Sequence, residues 1–218
     1  MKSYPKILHY NSGPLGEKCY AFYKHDGSNI RLEWGKKRGF YKFGSKSVMI
    51  DRNTPILGES IDLFLNKYGD DLDRIFRSKY KSVENFVVFA EFFGKNSFAG
   101  QHIVSDKKDI ILFDVNQYKR GFLPPQEFVD RFGIVEIPKI VYQGTYDHLL
   151  IKSVKNNELN LEEGVVCKGF MKTKREGNIV WMSKIKTDSW IKQVKLLYGE
   201  KFLKEEFNND FNMIKEYE

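Results

Sequence analysis

Cysteine is scarce in this 218-residue chain, which has only Cys19 and Cys167. Neither stands in a C-x-x-C spacing, so the usual metal and thiol-redox motifs are excluded. Free thiols in a reducing compartment are the simplest reading. Histidine is sparse as well: His9, His25, His102 and His148 lie far apart and make no ligand pair at helical spacing. A protein-bound zinc is therefore not expected. Long apolar runs are missing. No stretch approaches the ~20 residues of a membrane span, and no membrane partner is expected. The opening "MKSYPKILHY" has Pro5 and no apolar run, which argues against a signal peptide. The expected setting is cytoplasmic. Repeats, low-complexity tracts and linkers are absent too.

What the chain does have is apolar and aromatic mass. Hydrophobic residues make up 41% and aromatics 15%, enough for a packed core and against disorder. The formal net charge of +7 favours a polyanionic partner, although charge alone does not decide the matter.

Residues 19–34, "CYAFYKHDGSNIRLEW", alternate as two strands do, and Asp26-Gly27 between them is a strong hairpin-turn signal. A further strand-like run covers 40–50. Over 58–81 the period changes. Ile61, Phe64, Leu65 and Tyr68, then Leu72, Ile75 and Phe76, fall at helical spacing, with Gly69 expected to break or kink the helix. "NFVVFAEFFG" (85–94) and "DIILFDV" (109–115) are nearly continuous apolar runs, predicted as strands buried on both faces. A short helix is predicted over 124–133. Strands follow over 163–170 and 178–187, joined by the basic loop "MKTKREG", and a charged helical segment runs from Asp188 to Glu218. The class is α+β. The expected organisation is one domain over 1–187 and a helical tail over 188–218, whose Tyr198 and Phe202 read as packing residues.

Charged residues interrupt several of these apolar stretches: "KHDGSN" (24–29), "AEFFG" (90–94), "EEGVVCK" (162–168) and "WMSKIK" (181–186). A charge on a buried strand costs free energy unless it is paired, solvated in a cleft or used. Any one of these fits an exposed strand position. Together they fit it poorly, because both signs recur on strands that read as buried. Lys184 and Lys186 share a face by the strand period of two and could clamp a polyphosphate. Lys24 in the same cleft would be pushed toward the neutral amine by neighbouring cations and desolvation, and could then attack the α-phosphorus of a nucleotide. Glu91 and Glu163 would be free to hold a ribose hydroxyl and a divalent metal, since magnesium takes one or two carboxylates with phosphate oxygens and waters. Phe113 could stack on a base.

These stretches, in this order, resemble the motifs of covalent nucleotidyltransferases: ATP-dependent RNA and DNA ligases and mRNA capping enzymes. "KHDG" (24–27) is similar to motif I, K-x-D-G. "AEFFG" is similar to motif III, "LFDV" (112–115) to the Phe-Asp motif that follows it, "EEGVVCK" to motif IV and "KIK" (184–186) to motif V. The resemblance covers roughly residues 20–190. K-x-D-G alone is a weak signal; the ordered set is a strong one. DNA ligases and capping enzymes usually carry Arg two residues after the motif I glycine. Here that residue is Asn29, as in phage-type RNA ligases, and "FAEFFG" is similar to their E-L-F-G version of motif III. RNA ligase is therefore favoured over DNA ligase or a GTP-using capping enzyme, with a non-catalytic RNA-binding domain as the rival of another class.

The resemblance implies a ligase/capping-enzyme nucleotidyltransferase fold, ATP-grasp-like, with antiparallel sheets flanked by helices. It implies that Lys24 becomes bound to AMP through a phosphoramidate, with Asp26 and Gly27 completing its motif. Glu91 would contact the ribose and Phe113 would stack on adenine. Glu163 would help bind Mg2+ or Mn2+, with Glu162 as a substitute. Lys184 and Lys186 would contact the α-phosphate and pyrophosphate. Asn29 would organise the phosphates or the RNA end, and Tyr23 would offer backbone groups to adenine. The implied substrates are ATP and RNA with 5′-phosphate and 3′-hydroxyl ends, handled by a monomer, in a phage-encoded setting among others.

Two departures stand out. The family's motif Ia arginine has no clear counterpart in "KKRGFYKFGSKS". Lys42, Lys46 or Arg38 could fill its place, though lysine cannot reproduce a bidentate arginine fork. Only about thirty residues follow motif V, too few for the OB barrel that many ligases add. Basic and aromatic residues also interleave in "WGKKRGFYKFGSK" (34–46), as a nucleic-acid surface requires. For Trp34, Phe40, Tyr41 and Phe43 a core role is favoured. For Lys36, Lys37 and Arg38 the two readings are even. "KTKREG" (172–177) reads as a solvated turn.

Overall fold

The structure is a computed structural model that describes residues 1–95, 106–173, 177–207, 210–215 and 217. The apolar runs become strands of two five-stranded sheets, and each sheet frames its own compact unit. Met1–Lys6 and Asp26–Pro138 make the first unit; Ile7–His25 and Lys139–Glu218 make the second.

The sheet of the first unit has the order β4-β3-β5-β6-β7: β3 (Gly27–Gly35), β4 (Gly39–Ser45), β5 (Asn85–Phe93), β6 (Asp109–Gln117) and β7 (Gly121–Phe122). All its pairings are antiparallel. Helix α1 (Glu59–Lys79) covers it with the stripe Ile61, Phe64, Tyr68, Leu72, Ile75 and Phe76, all buried. The Phe76 ring stacks on Phe86 at 4.0 Å and lies 5.1 Å from Trp34, whose indole N–H donates to Asp73 at 2.8 Å. Each such buried side chain contributes roughly 1.5–3 kcal/mol. Phe40 packs edge-on against Phe64 at 5.5 Å, so it is a core residue. Helix α2 (Pro125–Phe132) starts with proline and ends at Gly133, as predicted.

The sheet of the second unit has the order β1-β10-β9-β2-β8, with β1 (Leu8–His9) parallel to β10 (Gly177–Lys186) and the other pairings antiparallel. Its remaining strands are β2 (Lys18–Lys24), β8 (Ile140–Thr145) and β9 (Gly164–Thr173). Helix α3 (His148–Lys155), capped by the Asp147 side chain, buries Leu150, Ile151 and Val154 with Tyr146 and Trp181. Cys19 and Cys167 are buried in the same cluster as free thiols. Two more helices follow, α4 (Asp188–Glu206) and α5 (Phe211–Lys215). Among the described residues, no helix is long and apolar enough to cross a membrane.

Three expectations are corrected. β2 and β3 form where predicted but do not pair: β2 lies between β8 and β9, β3 between β4 and β5. Asp26-Gly27 is the step from one sheet to the other, not a hairpin turn. Gly27 is not among the positive-φ glycines; its missing side chain serves close approach, since a Cβ there would strike the Phe92 carbonyl. Gly69 does not break α1, which is continuous from Glu59 to Lys79. A mid-helix glycine costs only about 1 kcal/mol against alanine, far less than the apolar stripe contributes. Tyr198 is 51% exposed, so it is not a packing residue, whereas Phe202 does meet the Trp190 ring at 5.7 Å. Residues 174–176 of the basic loop lie outside the described residues.

Candidate active site

In the second unit, strand register alone gathers the predicted charges. Lys24 ends β2 opposite Gly164, the first residue of β9. On the other side of β9, Lys186 ends β10 opposite the same Gly164. Glu163 stands one residue before that glycine, so it emerges between the two lysines. Its Oε2 accepts from Lys24 Nζ at 2.7 Å and its Oε1 lies 2.8 Å from Lys186 Nζ. Glu163 is 2% exposed, and its charge is tolerated because each oxygen has an ammonium. Burial raises its pKa, but Lys186 and Lys24 together hold the carboxyl below the usual range. The ammonium of Lys186 also sits 3.7 Å from the centre of the Trp190 ring. Trp190 is placed by the start of α4, where Thr187 caps the helix by accepting from the Trp190 N–H at 3.2 Å.

Lys184 shares the face of Lys186, and the two lysines are joined by a residue the motifs did not announce. Helix α4 is interrupted at Gly199, where φ is 70°. The turn after that kink ends at Glu206, whose Oε1 lies 2.7 Å from Lys184 Nζ and 3.1 Å from Lys186 Nζ. Burial raises the Glu206 pKa, while Lys186 and Lys184 lower it further, for a net fall well below the carboxylate range. Lys184 is lowered in turn, by burial first and by Lys186 against the pull of Glu206. His9 pairs in register with Lys184, and its Nε2 is 2.7 Å from the Glu206 backbone carbonyl. A carbonyl only accepts, so Nε2 carries the proton. Burial, then Lys184, lowers the His9 pKa to about 4. The ring is thus neutral near pH 7, and its 3.5 Å approach to the Glu206 carboxylate is not an ion pair there. Within this cluster the lysines Lys24, Lys184 and Lys186 outnumber the carboxylates Glu163 and Glu206 by one charge. Such a cluster is suited to an anion.

Tyr23, next to Lys24, gives its backbone N–H to the Lys139 carbonyl at 2.8 Å. Its phenol pKa is raised, by burial first and by Glu162 second. Glu162 itself is exposed.

The other predicted residues belong to the first unit. Asp26 is buried, and Gly27 opens β3. Asn29 and Glu91 face each other across β3 and β5 and so share one face of the sheet. The Asn29 Oδ1 is buried and has no hydrogen-bond partner among the described residues. Phe113 sits on β6 at a β-bulge, between the pairs Phe89↔Asp114 and Ala90↔Leu112. Bulges re-aim a side chain; the Phe113 ring meets Tyr4 edge-on at 5.0 Å. Lys42 is exposed opposite Glu33, further along β3 than Asn29, and Lys46 is exposed just past β4. Neither is buried beside Asn29 and Glu91. Arg31 is. It shares their face by period, is 6% exposed, and its Nε has no hydrogen-bond partner among the described residues. Its Nη1 donates to Ser3 Oγ at 2.5 Å. Arg31 lies within β3, whereas the expected positions Arg38, Lys42 and Lys46 lie beyond it. The available signal was a charge two residues beyond Asn29 on a strand that reads as buried.

The family model for RNA ligase matches residues 17–194. The chain belongs to the RNA ligase family. No curated protein matches it. Among solved structures it is similar to a mutant of Naegleria gruberi RNA ligase with ATP and Mn, at TM-score 0.63 and 13% identity over 88% of this chain and 58% of that one. A second Naegleria gruberi RNA ligase structure, with PPi, matches at TM-score 0.61 and 15% identity over 88% and 58%. An archaeal ATP-dependent RNA ligase matches at TM-score 0.61 and 14% identity, covering 100% of this chain and 61% of its own. At such identities the likeness is one of fold. This RNA ligase family member spans less than two thirds of the length of those structures.

Proposed function

We propose that this chain performs the adenylyl transfer of an ATP-dependent RNA ligase, with Lys24 as the nucleophile. The observation that carries the reading is the convergence of Lys24, Lys184 and Lys186 on Glu163 and Glu206, a cluster with one ammonium group in excess of its carboxylates. The family and its structural neighbours with ATP, Mn and PPi support it. In this reading Lys24 Nζ gives up a proton, and its lone pair forms the N–P bond to the α-phosphorus of ATP. The bond to the β-phosphate breaks and its electrons leave on pyrophosphate. Lys184 and Lys186 hold the phosphate charge that develops. AMP then passes to the 5′-phosphate oxygen of an RNA end, restoring the Lys24 amine. Attack by a 3′-hydroxyl on that phosphate makes the phosphodiester and releases AMP. The protein acts as a monomer on these ends.

Asn29, whose buried oxygen has no partner among the described residues, and Glu91 opposite it are assigned to the nucleotide's ribose and phosphates, and Phe113 to its base. Asp26 and Gly27 complete the lysine's motif, and Tyr23 flanks it. Arg31 replaces Lys42 and Lys46 as the best candidate for the missing arginine contact. Residues 1–187 carry the chemistry, and the helical segment 188–218 contributes Glu206.

Glu163 is the residue that would hold Mg2+ or Mn2+. Among the described residues no group of His, Cys, Asp and Glu forms a metal cage. A single buried carboxylate does fit a cation that arrives with phosphates and keeps most of its ligands from them and from water. When bound, that cation neutralises charge on the α-phosphate. Glu163 otherwise holds Lys24 as an ion pair, which keeps the lysine in place but not nucleophilic.

The test is direct. Incubation with α-labelled ATP and magnesium or manganese should give an acid-labile, alkali-stable protein adduct. Lys24→Ala should abolish it. An adduct of unchanged yield in that variant would sink the assignment.

A further inference from the structure

The opposite end of the first unit's sheet carries a feature the adenylyl-transfer site does not use. There β3 stops at Gly35, β4 starts at Gly39, β5 starts at Asn85, β6 stops at Gln117 and α1 stops at Lys79. Each chain connection at that end carries cations: "KKR" at 36–38, "YKSVE" at 80–84, where Glu84 offsets Lys81 but Lys79 precedes, and "YKR" at 118–120. Lys37, Arg38, Lys79, Lys81, Lys119 and Arg120 are all exposed, and Glu84 is the only acid in these connections.

The array is fixed as well as charged. Lys36 Nζ donates to the Lys81 carbonyl at 3.0 Å, which ties the first connection to the second. Arg77 Nη1 donates to the Lys36 carbonyl at 2.9 Å, and Arg120 Nη2 to Ser82 Oγ at 3.1 Å, which ties in α1 and the third. A cleft of about 330 Å³ opens between the 36–38 connection, Tyr41 and Glu84-Asn85. Aromatic faces stand beside the cations. Tyr118 is 60% exposed, with Lys119 Nζ 5.5 Å from its ring centre, and the Arg38 guanidinium lies 5.2 Å from the ring of Tyr41.

Lysines on turns are ordinary. What is not ordinary is that three connections from distant parts of the chain converge with cations in each, a single acid among them and aromatic rings alongside. That combination attracts a polyanion whose charges repeat at short intervals and which presents flat apolar rings, the chemistry of a nucleic-acid strand. We propose that this end of the sheet is a docking surface for the phosphate backbone of the RNA substrate. The identity of the polyanion rests on the ligase reading; the surface does not. At about 3.3 Å per residue the run of β3 from Asn29 to Gly35 spans roughly 20 Å. The surface would grip RNA at that distance from the residues assigned to the nucleotide.

The test combines Lys37→Ala, Lys81→Ala, Lys119→Ala and Arg120→Ala in one variant, all exposed and outside the residues assigned to adenylyl transfer. Binding of fluorescent single-stranded RNA is titrated by anisotropy across a salt series. Loss of four phosphate contacts should lower the slope of log K against log salt by about 3, and weaken binding at 0.1 M salt at least about tenfold. Unchanged affinity and slope would overturn the proposal. So would an equal loss in a control carrying Lys18→Ala, Lys152→Ala, Lys192→Ala and Lys204→Ala, which removes the same charge elsewhere. A larger loss toward poly-glutamate than toward RNA would assign the surface to an acidic protein and overturn it too. The lysyl-AMP adduct is measured in parallel. Its absence from the unaltered protein tells against the ligase reading, while the RNA titration still reads the surface.

Discussion

Glu206→Gln separates what the lysine cluster needs in order to fold from what it needs in order to bind. Glu206 Oε1 lies 2.7 Å from Lys184 Nζ and 3.1 Å from Lys186 Nζ, and its side chain is 13% exposed. At an effective dielectric of about 20 these contacts are worth roughly 6 and 5 kcal/mol before desolvation. Desolvation offsets much of that. Removing one partner of a buried pair typically costs about 3–5 kcal/mol, because the charge left behind is uncompensated. Gln keeps the shape and one acceptor, so a loss of about 3 kcal/mol is expected. The same change should help an anion. With one fewer negative charge some 6 Å away, pyrophosphate should gain about 2.8 kcal/mol at the same dielectric, or about a hundredfold in affinity. Urea unfolding with and without pyrophosphate reads both quantities, since a ligand that binds only the folded state adds RT ln(1 + [L]/Kd). The variant should be the less stable protein alone and gain more from saturating pyrophosphate. A variant as stable as the parent, with unchanged pyrophosphate affinity, would refute the claim that Glu206 neutralises Lys184 and Lys186.

Two further outcomes follow from the same cluster and its strand. His9 has a folded-state pKa of about 4 against an ordinary 6.5, so the unfolded chain binds the extra proton first, and stability should fall as pH drops through that window. The limit is about 1.4 kcal/mol per pH unit. His9→Gln, which still donates to the Glu206 carbonyl, should flatten this slope in denaturant melts at pH 7, 6 and 5; an unaltered slope would place the titration elsewhere. Glu163 and Glu206 are depressed instead, so their contribution persists through that window and is lost only as pH falls below about 4.5. Gly164 has φ 149°, and a Cβ there would strike the Ile185 carbonyl. Gly164→Ala should cost more than about 2 kcal/mol and lower the adduct yield, because it moves the backbone that presents Glu163; a melt and yield like the parent's would contradict this.

The fold was legible where burial writes a pattern. β5 and β6 are continuous apolar runs because both faces are covered, and α1 shows its period because one face is. Pairing partners were not legible. The alternation on either side of Asp26-Gly27 is the same for a hairpin as for strands that enter different sheets. What decides is a distant segment: β8 and β9 flank β2, and β5 takes the place beside β3 that β2 would have had. β8 and α3 were not predicted at all. β8 is half-exposed along its length, so its residues carry little apolar contrast.

The site divides along the same line. Lys24, Glu163, Lys184 and Lys186 were legible because each is a charge in or at the edge of an apolar strand, where its cost demands an explanation. Glu206 had no such contrast. It follows Glu205 in a helix of mixed charge, and only Glu205 behaves as that setting suggests, 69% exposed and 3.7 Å from Lys201 at i,i+4 spacing. The two neighbouring carboxylates differ in role because Gly199 redirects the chain and the buried Leu203 and Phe207 fix the turn between them. Those are properties of packing across the unit, not of the local string. Arg31 marks the boundary between the two cases. It met the criterion of a charge on a buried strand and was passed over because the motif placed its arginine further on. Whatever the motif spacing, a buried guanidinium nitrogen with no hydrogen-bond partner among the described residues calls for an explanation.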